Sequence, residues 1–164
     1  MDHDRIEKQI VLKAPLDRVW LAITDSARFG AWFGAKIEGP FVAGREAVGR
    51  IVPTEVDPEV ARMQAPYAGT PWRIVVERIE PMRLFSFRWH PGAVDPGHDY
   101  SGEPMTLVTF ELAEVEGGTL LTIVESGFAQ LPLPRRDETM RGNAEGWAHQ
   151  TRLIEKYLAR GLLP

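Results

Sequence analysis

Residues 135–161, RRDETMRGNAEGWAHQTRLIEKYLARG, limit what this chain can fold into more than any other stretch. Met140, Ala144, Trp147, Thr151, Ile154 and Leu158 recur at alternating spacings of four and three. Those spacings put them on one face of a helix, with Leu153 and Tyr157 widening the apolar stripe. Gly161 and Pro164 supply a stop signal. At 1.5 Å per residue the rod is roughly 37 Å long, enough to lie across a small domain. Such a helix needs an apolar surface to cover, and the preceding chain reads mainly as short strands.

In chain order, residues 5–13 read as a first strand, with Ile6, Ile10 and Leu12 on one side. Pro15 opens a helix in which Leu16, Val19, Trp20 and Ile23 share a face. Residues 24–26 cap a second, short helix carrying Phe29, Trp32 and Phe33, which Gly30 and Gly34 keep short. Strands are then expected at 35–38, 46–52, 72–79, 83–90, 105–115 and 119–126, divided by Gly and Pro.

The connections are unequal. Residues 80–82 and 116–118 make tight turns, whereas 53–71 and 91–102 are long, rich in Pro and Gly, and carry Tyr67, Asp95, His98, Asp99 and Tyr100. In an antiparallel meander every second connection lies at the same end of the sheet. Both long loops therefore share one end with Trp72, Trp89, His90 and Glu125, and the long helix brings Met140, Asn143 and Trp147 towards it. Long loops inside compact domains are usually functional or disordered. The expectation is a mouth at that end.

The 164 residues suit one domain, 1–164, with one core. A net charge of −4 without a basic run argues against nucleic acid and anionic membrane surfaces. Cysteine is absent, which removes disulfides, thiolate metal sites and a cysteine nucleophile together. The charged N-terminus is unlike a signal peptide and no apolar run reaches membrane-spanning length, so the cytoplasm is the default.

The segments APLDRVWLAITDSARFGAWFG (14–34), GTLLTIVESGF (118–128) and NAEGWAHQTRLIEKYL (143–158) resemble the START-like (SRPBCC) superfamily. Within it the chain is most similar to the branch related to the activator of heat-shock protein 90 ATPase. RWHP at 88–91 and the loop after it resemble a bacterial, single-domain subset. The resemblance implies an α+β helix-grip fold: a curved antiparallel sheet of about seven strands around a long C-terminal helix. It also implies an elongated apolar cavity between sheet and helix that binds lipids, polyketides or flavonoid-like aromatics. Some members are cyclases or aromatases, so an enzyme of cyclase or hydrolase type using the same cavity is the alternative. The chaperone-activating relatives carry an additional N-terminal region that this sequence lacks. A chaperone contact and a homodimer stay open.

Phe85, Phe87 and Trp89 alternate along one strand and so face one way. With Trp32, Tyr67, Trp72, Phe110, Ile123, Met140, Asn143 and Trp147 they are the candidate ligand-binding residues. Each ring could equally be packed core. Glu125 follows Leu121 and Ile123 at period two and shares their apolar face. A solvated charge or an ion pair is its ordinary fate. The sharper expectation is that it orients a ligand's hydroxyl or carbonyl beside Trp72 or Tyr67. Arg88, on the opposite parity, should point outward. Gly142 and Gly146 imply close backbone approach, a kink, or room for a ligand. His3, His90, His98 and His149 show no metal-ligand spacing, and Asp95, His98 and Asp99 read as a polar loop. No phosphate loop, nucleophile elbow or Ser/His/Asp arrangement is present, so neither a cofactor nor a catalytic residue is assigned.

Overall fold

The computed structural model describes residues 4–95 and 97–160. β1 (Arg5–Leu12) is followed by two short helices, α1 (Leu16–Thr24) and α2 (Ser26–Phe33), then β2 (Ala35–Glu38) and β3 (Glu46–Ile51). α3 (Pro58–Gln64) and a 3₁₀ turn (Ala65–Tyr67) precede β4 (Pro71–Glu80), β5 (Leu84–Trp89), β6 (Thr106–Val115) and β7 (Gly118–Ser126). The long α4 (Leu133–Arg160) closes the chain. Gly161, Pro164 and His3 lie outside the described residues.

The strands form one curved antiparallel sheet in the order β1-β7-β6-β5-β4-β3-β2. β1 joins beside β7, pairing Ile6 with Glu125 and Ile10 with Leu121. The α+β helix-grip architecture expected from the sequence is the one observed. No helix among the described residues is long and apolar enough to cross a membrane.

Alternation explains the inner layer. On β7, Thr119, Leu121, Ile123 and Glu125 are buried, and Val108, Phe110 and Leu112 do the same on β6. Trp147, Leu153, Ile154 and Leu158 of α4 are buried with them, as the helical spacing required. Phe29 stands at the centre of an aromatic cluster, with ring centroids 5.0 Å from Trp32, 5.6 Å from Phe41 and 6.3 Å from Phe110. Trp32 is fully buried and donates its indole N–H to the Ala22 carbonyl at 2.8 Å. Phe85, Phe87, Phe110 and Ile123 are equally enclosed.

α3 is the element that the sequence reading left as loop. Asp57 caps it, accepting from Glu59 N–H at 2.9 Å and Val60 N–H at 3.2 Å, and Pro58 occupies the first turn. The helix is too short for a periodic stripe, and so only the Asp-Pro-Glu start signal announces it. Lys156 of α4 meets the same carboxylate at 2.5 Å. That contact, with the Val60 N–H, holds the Asp57 carboxyl below the usual aspartate range.

The glycines of the two helices have different reasons. Gly34 ends α2 in the left-handed region (φ 102°). Gly30 lies under a backbone: a Cβ there would stand 2.1 Å from the Ala35 carbonyl oxygen. Around Gly142 and Gly146 a Cβ would meet nothing within 4 Å, so the close approach considered for them is not what the structure shows.

Candidate functional site

β4 begins and β5 ends at the same edge of the molecule, and both long connections gather there. Between them opens a cleft of about 830 Å³. One side is Phe33 from the end of α2, Trp72 from β4 and Trp89 from β5. The 3₁₀ turn and its exit contribute Tyr67 and residues 68–70. The loop after β5 contributes Val94, Asp95, His98 and Tyr100, and α4 contributes Asn143 and Gln150. A smaller recess of about 80 Å³ shares Phe33, Trp89, Asn143 and Gln150, and adds Trp147 and Gly146.

The residues singled out from sequence therefore divide. Tyr67, Trp72, Trp89 and Asn143 line the cleft, and Trp147 lines the recess beside it. Trp32, Phe85, Phe87, Phe110 and Ile123 pack in the core away from it, and Met140 lies half-buried against that core. The elongated hollow expected along the inside of the helix is thus largely filled by rings, and the room lies at the loop end. Alternation along a strand gives the face of a side chain but not its depth, which is why Trp89 opens onto the cleft while Phe85 and Phe87 do not.

Glu125 departs from both fates considered for it. It is completely buried, and among the described residues no cation pairs with it. One carboxylate oxygen accepts from Trp89 Nε1 at 2.8 Å and Thr106 Oγ1 at 2.6 Å. The other accepts from Asn143 Nδ2 and Trp147 Nε1, each at 2.8 Å. An indole N–H can only donate, and a carboxylate is the side chain that offers two oxygens to such donors. Its acceptors are taken by the protein, and it is not among the residues that line the cleft. Arg88 points outward as its parity required, 3.3 Å from Glu77.

Phe33, Gln64 and Gln150 line the cleft too and are not among the residues the sequence singles out. Phe33 stacks on Phe29 at 4.8 Å and reaches Trp72 at 6.0 Å and Trp89 at 6.2 Å. Its backbone carbonyl accepts from Gln64 Nε2 at 3.1 Å and Gln150 Nε2 at 3.0 Å, which ties α3 and α4 to the end of α2. Gln150 lies one turn beyond Trp147, so the helical stripe could have revealed it; Gln64 lay in a segment read as loop. Two polar atoms here, Trp72 Nε1 and Gln150 Oε1, are buried with no hydrogen-bond partner among the described residues. Native structures rarely leave such groups unmatched.

The loop after β5 is held to the rim by Glu103. One of its carboxylate oxygens meets His98 and the other meets Arg135 Nη2 at 2.6 Å, while the Arg135 guanidinium stands 5.4 Å over the Tyr100 ring. Asp95 and Asp99 are turned onto their own loop, accepting from Gly97 N–H and from Ser101. His98 first, then Arg135, hold the Glu103 carboxyl below the ordinary glutamate value of 4.5. A depressed native value means the anchorage is complete above pH 4.5 and is lost as pH falls through the lower native value. Protection factors of the amides of residues 97–102, which remove the intrinsic slowing of exchange in acid, should fall over that acidic window. Glu103→Gln should show low protection factors already at neutral pH, with no further fall in acid. Identical profiles for the two proteins would refute this anchorage.

With the geometry in view, the comparisons decide the family. The profile described as Activator of Hsp90 ATPase homolog 1-like protein (AHSA1) matches residues 13–159. The chain belongs to this family. Among curated proteins nothing matches the chain. Among solved structures, this AHSA1-like chain is similar to protein MLL2253 from Mesorhizobium loti, with 22% identity, TM-score 0.69, and 95% and 97% of the two chains covered. A protein from Arthrobacter aurescens shares 20% identity with TM-score 0.70, covering 98% of this chain and 90% of that one. DynU16, a protein of the dynemicin biosynthetic locus, shares 23% identity with TM-score 0.68 over 96% of this chain. The AHSA1-like chain spans only about half (48%) of DynU16. At these identities the likeness speaks for the fold.

Proposed function

We propose that this AHSA1-like domain reversibly binds an aromatic small molecule in the cleft at its loop end. The observation that carries the reading is the wall itself. Phe33, Tyr67, Trp72 and Trp89 surround a space of about 830 Å³, within the usual size of small-molecule sites. Sites of that kind combine apolar walls with a few polar groups that fix orientation, and the exposed Tyr67 on the rim brings a hydroxyl suited to that part. Among the described residues the carboxylates around the cleft, Glu125, Glu103 and Asp95, each accept from protein groups. Binding is therefore the better supported activity.

The test is titration with N-phenyl-1-naphthylamine, a neutral aromatic reporter that brightens in apolar sites. Saturable binding is expected in the wild type. Ala68→Trp, on the exposed cleft rim, should weaken it at least about tenfold and leave the melting temperature within about 2 °C, because a surface change far from the core costs little. Reporter affinity untouched by Ala68→Trp, or no saturable binding by the wild type, would sink the reading.

A further inference from the structure

Glu125 presents an energetic puzzle. A buried carboxylate is costly unless it is paired or thoroughly hydrogen-bonded, and this one has hydrogen bonds but, among the described residues, no cation. Neutral donors spread a negative charge without cancelling it. Two of the four donors, Trp89 and Asn143, are also cleft residues, and Trp147 lines the adjoining recess. The charge therefore lies one side chain behind the binding wall.

Indole is the aromatic face that attracts cations most strongly. An indole that gives its N–H to a carboxylate gains electron density on that face. Here two such indoles stack on each other, Trp89 and Trp147, with centroids 5.8 Å apart and planes 28° apart. Phe33 stands 6.2 Å and 6.1 Å from them, and Trp72 extends the same wall. Among the described residues, the basic side chains near the cleft are engaged elsewhere. Arg73 reaches out to Glu46 at 3.6 Å, Arg135 and His98 are taken by Glu103, and His90 Nε2 lies 3.1 Å from the Glu103 carbonyl. Asp95 adds a second negative charge to the lining.

We infer that the cleft prefers an aromatic organic cation, a flat ring system bearing a fixed positive charge, and that Glu125 sets this preference through Trp89 and Trp147. The inference rests on the cleft being a ligand site and adds the charge of what it takes. Were Glu125 only a pin between β7 and α4, any preference for cations would come from Asp95 and the indole faces alone and would survive loss of the Glu125 charge.

N-methylquinolinium and 1-methylnaphthalene have nearly the same shape and differ in charge, so they separate the two cases. Dissociation constants for both would be measured by quenching of tryptophan fluorescence in wild type, Glu125→Gln and Trp89→Phe. The cation should bind the wild type about tenfold more tightly than its neutral isostere, in line with a desolvated cation–π contact. Either variant should bring the two affinities together, and Trp89→Phe keeps the test open if Glu125→Gln does not fold. Equal or tighter binding of the neutral compound to the wild type overturns the inference and leaves the cleft as a ligand site. A cation preference that survives in the folded variants overturns the role of Glu125. Binding of neither compound overturns both readings.

Discussion

Glu125→Ala is expected to lower the unfolding free energy by about 3–5 kcal/mol, since each buried donor left without an acceptor costs about 1–3 kcal/mol. Four donors lose their acceptor at once: Trp89, Thr106, Asn143 and Trp147. Thr106 and Trp147 are themselves buried, so water reaches them only if the structure loosens. Domains of this size are stable by only about 5–15 kcal/mol, and the loss is a large fraction of that. Glu125→Gln keeps one acceptor but turns an amide NH₂ towards two donors, and should fall between alanine and wild type. Urea unfolding supplies the free energies. Near-UV circular dichroism should report the loss first, because two of the displaced side chains are tryptophans. A change below about 1 kcal/mol for Glu125→Ala would mean that the four donors find other partners, against the geometry.

Gly30→Ala should also destabilise, by about 2–4 kcal/mol, although glycine to alanine inside a helix ordinarily gains up to about 1 kcal/mol. The added methyl would lie 2.1 Å from the Ala35 carbonyl oxygen and 3.2 Å from its carbon, both backbone atoms that no rotamer change can move aside. α2 would have to lift off β2, carrying Phe33 with it and spoiling one wall of the cleft. Gly142→Ala is the matching control. Nothing lies within 4 Å of its added carbon, so that substitution should stabilise by about 0.5–1 kcal/mol. Opposite signs for two glycine-to-alanine changes in helices would follow from space alone. A neutral Gly30→Ala would contradict the packing of α2 on β2.

The comparison of sequence with structure follows a physical line. The elements whose side chains repeat over several turns or pleats were legible, and β2 and α4 illustrate it: β2 was expected at its observed bounds, and the stripe from Met140 to Leu158 identified α4. The two-ended sheet was legible from loop lengths, which placed Trp72 and Trp89 at one mouth. α3 was not, because its 7 residues, about two turns, are too few to show a period. Depth was not legible either. Phe87 and Trp89 have the same parity, yet the first is fully buried and the second reaches the rim, a difference set by where β5 ends. The environment of Glu125 was beyond reach for another reason. Its donors come from β5, β6 and two turns of α4, and no spacing in a linear chain announces that these will meet.

The strand order carries one more consequence, for how the domain is made. Within this domain β1 is the first strand in the chain, and among the described residues its neighbour in the sheet is β7, the last. During translation β1 thus has no partner until the rest of the sheet has been made, with Ile6 and Leu12 waiting for a strand not yet translated. The seam can be zipped shut only once β7 has emerged, which makes its closure a late and non-local event. Changes that slow β7 should therefore show themselves as nascent-chain aggregation before they show themselves in the finished protein.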